Sequence, residues 1–351
     1  MRLNLQKILV SFILCALTVN NVNPSYAVEE AALPVKFRSE VLPYFESARK
    51  GSFVGKDGVS IAWRAFPPYN GGTFQGAKAL VVLNGRSEFM HKYAELVYDF
   101  RHSGYAIYLM DHRGQGESGR ILSESQIGHV KNFRDYVDDL GTFMDQVVMK
   151  DGPSEVHVLA HSMGATVATI YAMEHPTAFR SMVLSGPMYL PNLGKYSECV
   201  ALAIGGFMNF IGKGTHLAPG RTLDEWKNPF EVNNVTHSPN RFGYALDLLL
   251  AHPDEAIGGP TYRWVQQAIK GGRWIRNNAE KLTTPVRILQ VGDERIVVPQ
   301  YQNEVCGKAK ACEIQHIDGS KHEILMEIDA YRNRALSLTL DWIERHSAKA
   351  L

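Results

Sequence analysis

The stretch VHVLAHSMGATVATIYAM, residues 156–173, joins an almost wholly apolar segment to a helix-forming segment at Ser162. VHVLA predicts a strand buried on both faces, and ATVATIYAM predicts a helix. A serine at such a junction stands on a sharp turn, with its hydroxyl above the sheet and the N–H groups of the helix start beside it. The alternative is that Ser162 merely caps the helix. The surrounding sequence has to decide between these two interpretations.

The same alternation of strand and helix continues on both sides of this junction. Helical periodicity marks residues 88–104 and 130–150, and SFVGKDGVSIAWRAF alternates about Asp57-Gly58, which predicts a β-hairpin. Short apolar segments bounded by Gly, Asp or Ser predict parallel strands: ALVVLNG, AIYLMDH, VHVLAHS, SMVLSGP and VRILQVG. The pattern predicts an α/β fold with a mostly parallel central sheet and helices on both faces.

This alternation stops after Pro187 and resumes at about Thr284. The interruption is too long for a plain loop, so residues 188–283 are predicted to form a separate helical lid inserted into the fold. Within it, residues 197–213, SECVALAIGGFMNFIGK, are mainly apolar. They form either a packed lid helix or an apolar wall that holds an acyl chain or touches a membrane surface.

The N-terminal segment has the layout of a secretory signal peptide. Arg2 and Lys7 precede an apolar run that ends at Val19, and Ser25-Tyr26-Ala27 predicts cleavage after Ala27. An uncleaved membrane anchor is the alternative, but the run is shorter than the roughly 20 residues that span a bilayer. We therefore expect export to a periplasm or to the outside of the cell. The predicted division of the chain is a signal peptide (1–27), an N-terminal extension (28–52), a core in two parts (53–187 and 284–351) and a lid (188–283).

Charge and cysteine content limit the ligands to be expected. A net charge of +1, from 37 basic and 36 acidic residues, provides no basic field for nucleic acid. No Cys or His pair has zinc spacing beside an acidic partner, so we predict no metal and no cofactor. In an oxidising compartment Cys306 and Cys312 could form a disulfide, leaving Cys199 free, or all three could be unconnected.

A nucleophilic serine requires a histidine base and a carboxylate in the chain order serine, acid, histidine. Asp293 and Glu294 both follow the predicted strand VRILQVG, where open α/β sheets build their sites. His322 lies in the loop before the C-terminal helix. The three roles are therefore filled in the required order, with two candidates for the acid.

Acyl transfer also requires N–H donors for the oxyanion that develops on the attacked carbonyl. The N–H of Met163, directly after Ser162, is one predicted donor. The other is the N–H of Arg86 in the turn that follows the strand ALVVLNG, where Gly85 lets the backbone approach a substrate closely.

The segments LNGRSEFMHKYAELVYDF, DHRGQGESGR, LAHSMGA and KHEILME resemble the monoglyceride-lipase-like α/β-hydrolases. The lid segments NNVTHSPNR and GGPTYRWVQQAI resemble more narrowly the bacterial lysophospholipases of that group. The resemblance implies an α/β-hydrolase fold with Ser162 as nucleophile and His322 as base. The family's carboxylate-Arg-aliphatic pattern falls on Glu294, with Asp293 as the alternative acid. One departure is Ala160, where the family has Gly.

The resemblance further implies that the chain cleaves the acyl ester of a lysophospholipid or monoacylglycerol through an acyl-enzyme. The acyl chain would lie under the lid, and a peripheral membrane contact through the lid is a further expectation. Two alternatives stay open. One is a carboxylesterase for short, soluble esters, and the other is a catalytically silent α/β-hydrolase fold that binds lipid or protein.

Overall fold

The computed structural model describes residues 27–69 and 71–348, so the predicted signal peptide lies outside the described residues except for Ala27. Within this part of the chain one sheet contains eight strands. They are β1 (Arg49–Val54), β2 (Ser60–Phe66), β3 (Lys78–Leu83), β4 (Tyr105–Met110), β5 (Glu155–His161), β6 (Ser181–Ser185), β7 (Val286–Val291) and β8 (Cys312–Ile317). The order is β1-β2-β4-β3-β5-β6-β7-β8, and only the β1–β2 and β2–β4 pairs are antiparallel. The prediction of a mostly parallel central sheet is confirmed.

Helices cover both faces of this sheet, as predicted. The α-helices of the described residues are α1 (Leu33–Lys36), α2 (Leu42–Glu46), α3 (Ala94–Phe100), α4 (Arg134–Phe143), α5 (Ser162–Glu174), α6 (Glu198–Phe210), α7 (Pro239–Ala251), α8 (Tyr262–Asn277), α9 (Gln300–Lys308) and α10 (Asp329–His346). Side chains of α4, α5 and α8 form one hydrophobic core, and those of α3 and α10 form a second core on the opposite face.

Strand β5 shows how the sheet separates these two cores. Val158 and Ala160 point into the core formed with α4, α5 and α8, whereas Leu159 points into the core formed with α3 and α10. Successive side chains of a strand alternate between faces, so a strand buried on both faces is apolar throughout. Ala160 is fully buried in the first core, and its methyl group packs there, where the family has glycine.

The turn from β5 into α5 is the tightest junction of the fold. Ser162 has a φ of 49°, a left-handed conformation that is uncommon for a residue other than glycine. At Gly164, a Cβ atom would lie 2.8 Å from the carbonyl oxygen of Leu83 and closer still to that of Asn84. Because helix α5 passes so near the end of β3, only glycine fits at position 164.

Several element boundaries differ from the prediction. The hairpin is confirmed, with Asp57 and Gly58 at positive φ, but β1 begins at Arg49 and therefore before the predicted core boundary at residue 53. The helix predicted for 88–104 is a 3₁₀ turn followed by α3. The helix predicted for 130–150 begins as α4 and continues as π and 3₁₀ turns.

Residues 188–283 were predicted to form a separate lid, but part of this segment packs into the core. The segment lies between β6 and β7 and contains α6, α7 and α8, but Trp264, Ala268 and Ile275 of α8 are buried in the same core as α5. Glycine permits this packing, since a Cβ atom at Gly271 would lie 2.8 Å from the ring of Phe133. Periodicity cannot distinguish a lid helix from a core helix, because both bury one apolar face.

Helix α6 is the part of the predicted lid that remains at the surface. It packs on α8, and Gly205 is its one buried residue. Apolar side chains face outward on α6 and just beyond it, with Phe207 61% and Phe210 88% exposed. None of the helices in the described ranges combines the length and apolarity needed to cross a membrane.

The sequence left open whether Cys306 and Cys312 form a disulfide. Cys306 in α9 and Cys312 in β8 form a disulfide, with their Cα atoms 5.2 Å apart. Cys199 is free and exposed at the start of α6.

We predict that Gly164→Ala lowers the free energy of unfolding by about 1–3 kcal/mol, because the added methyl group meets two backbone carbonyls that have no rotamer to adjust. Gly307→Ala is the matched control. Gly307 is an exposed glycine in α9 whose added Cβ meets nothing within 4 Å, so it should leave stability unchanged or raise it by up to about 1 kcal/mol. Urea denaturation of both variants checks the prediction, and equal stabilities would contradict it.

Candidate active site

Ser162, Glu294 and His322 follow three different strands and meet at one edge of the sheet. Ser162 follows β5, Glu294 follows β7 and His322 follows β8, and parallel strands place their carboxyl ends at the same edge. His322 Nε2 lies 2.9 Å from Ser162 Oγ, and His322 Nδ1 lies 2.7 Å from Glu294 Oε2. The three side chains form a continuous hydrogen-bonded chain in the predicted order.

Glu294 is held in place by the backbone that follows it. Its Oε1 accepts hydrogen bonds from the N–H groups of Ile296 at 2.8 Å and Val297 at 3.2 Å, and its side chain is 2% exposed. Burial alone would raise the pKa of Glu294. The hydrogen bond and charge of His322, together with the two N–H donors, outweigh burial and lower this pKa overall. Glu294 therefore faces His322 as a carboxylate.

Asp293, the alternative acid, lies away from His322. Its carboxylate pairs with Arg295, with 3.0 Å between Arg295 Nε and Asp293 Oδ1, and its side chain is 40% exposed. The hydrogen bond and charge of Arg295 lower the pKa of Asp293. Of the two carboxylates that the sequence left open, the structure places Glu294 against the histidine.

The turn that carries Arg86 lies directly beside Ser162. A Cβ atom added at Gly85 would lie 3.2 Å from the Cβ atom of Ser162. Within the described residues, no protein group accepts a hydrogen bond from the N–H of Arg86 or of Met163. Both amides are thus available to a ligand, as the prediction of two oxyanion donors requires.

Residues of the segment DHRGQGESGR form hydrogen bonds to this turn. Asp111 Oδ1 accepts hydrogen bonds from Asn84 Nδ2 at 2.9 Å and from the N–H of Met90 at 2.8 Å. Gln115 Nε2 donates to the carbonyl oxygens of Gly85 and Glu88, both at 2.7 Å. Burial raises the pKa of Asp111 to about 7. Asp111 and Gln115 therefore position the backbone of the turn. From the sequence, their segment was recognised only as a motif of the family.

Sequence analysis also missed a buried ionic group formed by Glu88, Lys92 and Glu323. Lys92 Nζ lies 2.8 Å from Glu88 Oε1 and 2.7 Å from Glu323 Oε1. Burial alone would lower the pKa of Lys92, but the two carboxylates raise it. Glu88 also accepts a hydrogen bond from the N–H of Gly85, and Glu323 adjoins His322. The group links the Arg86 turn to the histidine loop. The i, i+4 spacing of Glu88 and Lys92 was the one available sequence signal.

His161, which precedes Ser162, packs against the histidine of the site. The ring centroids of His161 and His322 lie 4.7 Å apart, and His161 Nδ1 lies 3.1 Å from the carbonyl oxygen of Ser185. Burial lowers the pKa of His161 to about 4. His161 is therefore a neutral neighbour and does not compete with His322 for a proton at neutral pH.

A cavity of about 490 Å³ opens above Ser162 and His322. One side is lined by apolar side chains of α6, α8 and the loop before α6, namely Leu193, Tyr196, Ala201, Ile204 and Val265. Another part is charged and includes Arg86, Glu88, Arg221 and Glu323. The cavity that contains Ser162 therefore has both apolar and charged lining residues.

One cluster of metal-ligand type occurs among the described residues. Ligand atoms of His91, Glu117 and Glu255 lie within 4.8 Å of one another. Arg64 donates to Glu117 Oε1 at 3.0 Å and lies 3.1 Å from His91 Nε2, so a guanidinium already supplies the positive charge there. The cluster does not line the cavity above Ser162.

The fold and this site define an α/β-hydrolase with its serine on a strand-to-helix elbow. The chain belongs to the hydrolase family described as serine aminopeptidase, S33, whose model matches residues 75–329. It is 32% identical to lysophospholipase L2 of Escherichia coli (strain K12) over 87% of this chain and 90% of that protein. The resemblance to monoglyceride-lipase-like hydrolases is confirmed.

More distant relatives agree with this assignment. The chain is 26% identical to a monoacylglycerol lipase of Mycolicibacterium smegmatis, over 84% of this chain and 96% of the relative. A soluble variant of monoglyceride lipase from Saccharomyces cerevisiae superimposes with a TM-score of 0.65 at 18% identity, covering 86% of this chain and 97% of the yeast chain. The structural match shows the α/β-hydrolase fold.

We predict that Glu294→Gln slows covalent labelling of Ser162 by a fluorophosphonate probe about hundredfold or more. The amide keeps the size of the side chain but cannot stabilise a positively charged His322. Asp293→Asn is the matched control and should label at the wild-type rate, because Asp293 contacts Arg295 instead. Labelling reactions quenched at successive times, with the labelled fraction read from the intact protein mass, measure both rates. Slower labelling of Asp293→Asn than of Glu294→Gln would assign the acid to Asp293.

Proposed function

We propose that the chain is a serine hydrolase that cleaves the carboxylic ester of a lipid with one acyl chain and a polar head. The observation that carries the proposal is the contact of 2.9 Å between Ser162 Oγ and His322 Nε2 at the base of a cavity with an apolar wall. Family membership and relatives named lysophospholipase and monoacylglycerol lipase support the same class of substrate.

In the proposed reaction, Ser162 Oγ attacks the ester carbonyl carbon while His322 Nε2 takes the hydroxyl proton. Glu294 holds the Nδ1–H of His322 and stabilises the imidazolium. The N–H groups of Arg86 and Met163 donate to the oxyanion. The intermediate collapses, and the alcohol leaves with the proton from His322. Water then adds to the acyl-enzyme by the same steps, releasing the fatty acid and restoring Ser162.

The cavity supports a substrate with a single long acyl chain. Its apolar wall is formed by residues of the loop before α6, of α6 itself and of α8. Burying each methylene group of a chain there stabilises binding by about 0.8 kcal/mol, which favours long chains. The membrane contact through the lid stays a prediction, and Phe207 and Phe210 are the exposed side chains that it would use.

We predict that Ser162→Ala abolishes fatty acid release from long-chain lysophosphatidylcholine and monoacylglycerol, with a loss of about 10⁴-fold or more, because no other group in the site forms the acyl-enzyme. The enzyme starting at Val28 is compared with this variant by fatty acid titration, with nitrophenyl butyrate as a third substrate. Preference for the butyrate would favour the short-chain esterase. Absence of hydrolysis of all three esters by the wild type would favour the silent binding fold.

We further propose that the chain is exported and cleaved after Ala27. The surroundings of Val28 support this cleavage. The Val28 nitrogen is buried and donates to Asp99 Oδ1 at 2.9 Å, while Arg332 contacts the other oxygen of Asp99 at 2.6 Å. Burial raises the pKa of Asp99 to about 6, with nearby Glu95 adding to the shift against the pull of Arg332. A free ammonium at Val28 would supply a further positive charge to Asp99. The disulfide between Cys306 and Cys312 fits an oxidising compartment.

We expect protein recovered from cells to have the mass of a chain starting at Val28. That chain should also melt at a higher temperature at pH 7 than a chain starting Met-Ala-Val28, which places an amide beside Asp99. A carboxyl group whose pKa is higher in the folded than in the unfolded chain stabilises the fold at low pH, where it is protonated in both states. This stabilisation is lost as the pH rises from the unfolded pKa to the folded pKa. The extended chain should therefore lose more stability between about pH 4 and pH 7. Recovery of the full-length mass, or equal melting temperatures at both pH values, would contradict the proposal.

A further inference from the structure

Arg86 and Arg221 line the cavity above Ser162, and Arg86 differs from the other arginines of the interior. Arg241, Arg287 and Arg332 are buried against carboxylates, as charged side chains in a protein interior usually are. Arg86 forms no ion pair with any carboxylate among the described residues. A guanidinium inside a substrate cavity without an acidic partner requires an explanation, because burying an unpaired charge is costly.

The contacts of Arg86 hold its guanidinium in place and leave donors free. One terminal nitrogen donates to Ser87 Oγ at 2.8 Å and the other to the carbonyl oxygen of Gly258, and the group lies 5.0 Å from the ring centroid of Trp264. A guanidinium has five N–H donors, so two used donors leave three without a protein acceptor; Nε–H is buried, and the other two belong to the terminal nitrogens. Burial, and then the charge of Arg221, lower the pKa of Arg86 to about 10, against a smaller opposing effect of the Glu225 carboxylate, which makes no ion pair with Arg86. Arg86 is therefore still a cation at neutral pH.

Arg221 brings a second positive charge to the same cavity. Its Nε lies 3.5 Å from Glu225 Oε1, and its side chain is 48% exposed. The same Glu225 oxygen also accepts from the N–H of Thr222 at 3.1 Å, so the carboxylate is shared. A loosely paired, half-exposed arginine near a fixed, unpaired one is an arrangement suited to an anion that enters from solvent.

The carboxylates that line the cavity do not neutralise these arginines. Glu88 and Glu323 both contact Lys92, at 2.8 Å and 2.7 Å, and Glu88 also accepts hydrogen bonds from the N–H of Gly85 and from Tyr93. Both carboxylates are therefore paired with Lys92, and Glu88 also accepts from Gly85 and Tyr93. The cavity keeps Arg86 and Arg221 as cations available to a ligand.

The position of Arg86 sets where such an anion would lie relative to the scissile ester. Its N–H is the proposed oxyanion donor, so the separation between the attacked carbonyl and the guanidinium is limited by the length of one arginine side chain. In a lysophospholipid, the glycerol carbons separate the ester carbonyl from the phosphate by a similar number of bonds. The phosphate can therefore reach the guanidinium while the carbonyl occupies the oxyanion position.

We propose that Arg86 and Arg221 bind the phosphate of a lysophospholipid headgroup, and that the site thereby selects phosphate-bearing lipids over neutral monoacylglycerols. This inference rests on the proposed function and adds the residues that read the headgroup. Planar guanidinium groups bind phosphate through paired, charge-assisted hydrogen bonds, whereas a glycerol hydroxyl offers no charge to match them. The acyl chain lies against the apolar wall that includes Ile204 and Val265.

The test compares two substrates that differ only in the phosphate, 1-palmitoyl lysophosphatidate and 1-palmitoylglycerol, both below their critical micelle concentrations. For the enzyme starting at Val28, Arg221→Gln should lower kcat/KM for lysophosphatidate about tenfold, mainly through KM, and change it less than about twofold for palmitoylglycerol. Arg86→Met keeps the backbone N–H and the length of the side chain. It should lower the ratio of the two kcat/KM values at least as strongly.

Lys227→Gln is the matched control, since it removes a positive charge that pairs with Asp224, from a residue of the same segment that does not line the cavity. It should leave both substrates unchanged, and thermal melts should show that all variants fold. Equal losses on both substrates in Arg221→Gln and Arg86→Met, or no loss on either, would overturn the headgroup assignment while the wild-type hydrolysis keeps the proposed function. No hydrolysis of either lipid by the wild type would overturn the proposed function itself, and the headgroup assignment with it.

Discussion

The close approach of helix α5 to the end of strand β3 is the constraint on which the site depends. Gly164 allows it, because any side chain there would meet the carbonyl oxygens of Leu83 and Asn84. The approach brings the first turn of α5 beside the turn that carries Arg86, so the two predicted oxyanion donors belong to neighbouring backbones. It also forces Ser162 to a φ of 49° and raises its hydroxyl above the sheet edge. Local strain at Ser162 is thus the consequence of packing that the rest of the core stabilises.

Buried charges then connect the parts of the site that this packing brings together. Lys92 contacts Glu88, which holds the N–H of Gly85, and Glu323, which adjoins His322. The turn that carries Arg86 and the loop that carries His322 are therefore joined by this buried ionic group. Removing one member would leave the other charges buried and unpaired, which is generally more destabilising than the pair is stabilising. The precise position of His322 relative to Gly85 is accordingly a property of three side chains that need not touch the substrate.

Much of the fold and three central residues of the site could be predicted from the sequence, because their signals are local. Apolar segments ending in Gly, Asp or Ser mark the strands, and the order of Ser162, Glu294 and His322 follows from the order of the strands that they terminate. Strand order alone leaves Asp293 and Glu294 open, and the family pattern favours Glu294. The backbone after β7 turns one carboxylate toward His322 and the other toward Arg295. The lid was predicted as separate because periodicity does not show what a helix packs against, and α8 packs with α5.

The headgroup region could not be predicted, since its two arginines are distant in sequence and no sequence pattern links them. Arg86 lies in a turn after β3, and Arg221 lies between α6 and α7. Only the folded chain places both in one cavity with Ser162. This arrangement gives the two ends of the substrate different kinds of discrimination. An apolar wall distinguishes chain lengths gradually, by the free energy of each methylene group, whereas the two guanidinium groups distinguish a phosphate from a hydroxyl in one step. Selectivity in this fold is therefore expected to be broad for the acyl chain and sharp for the head.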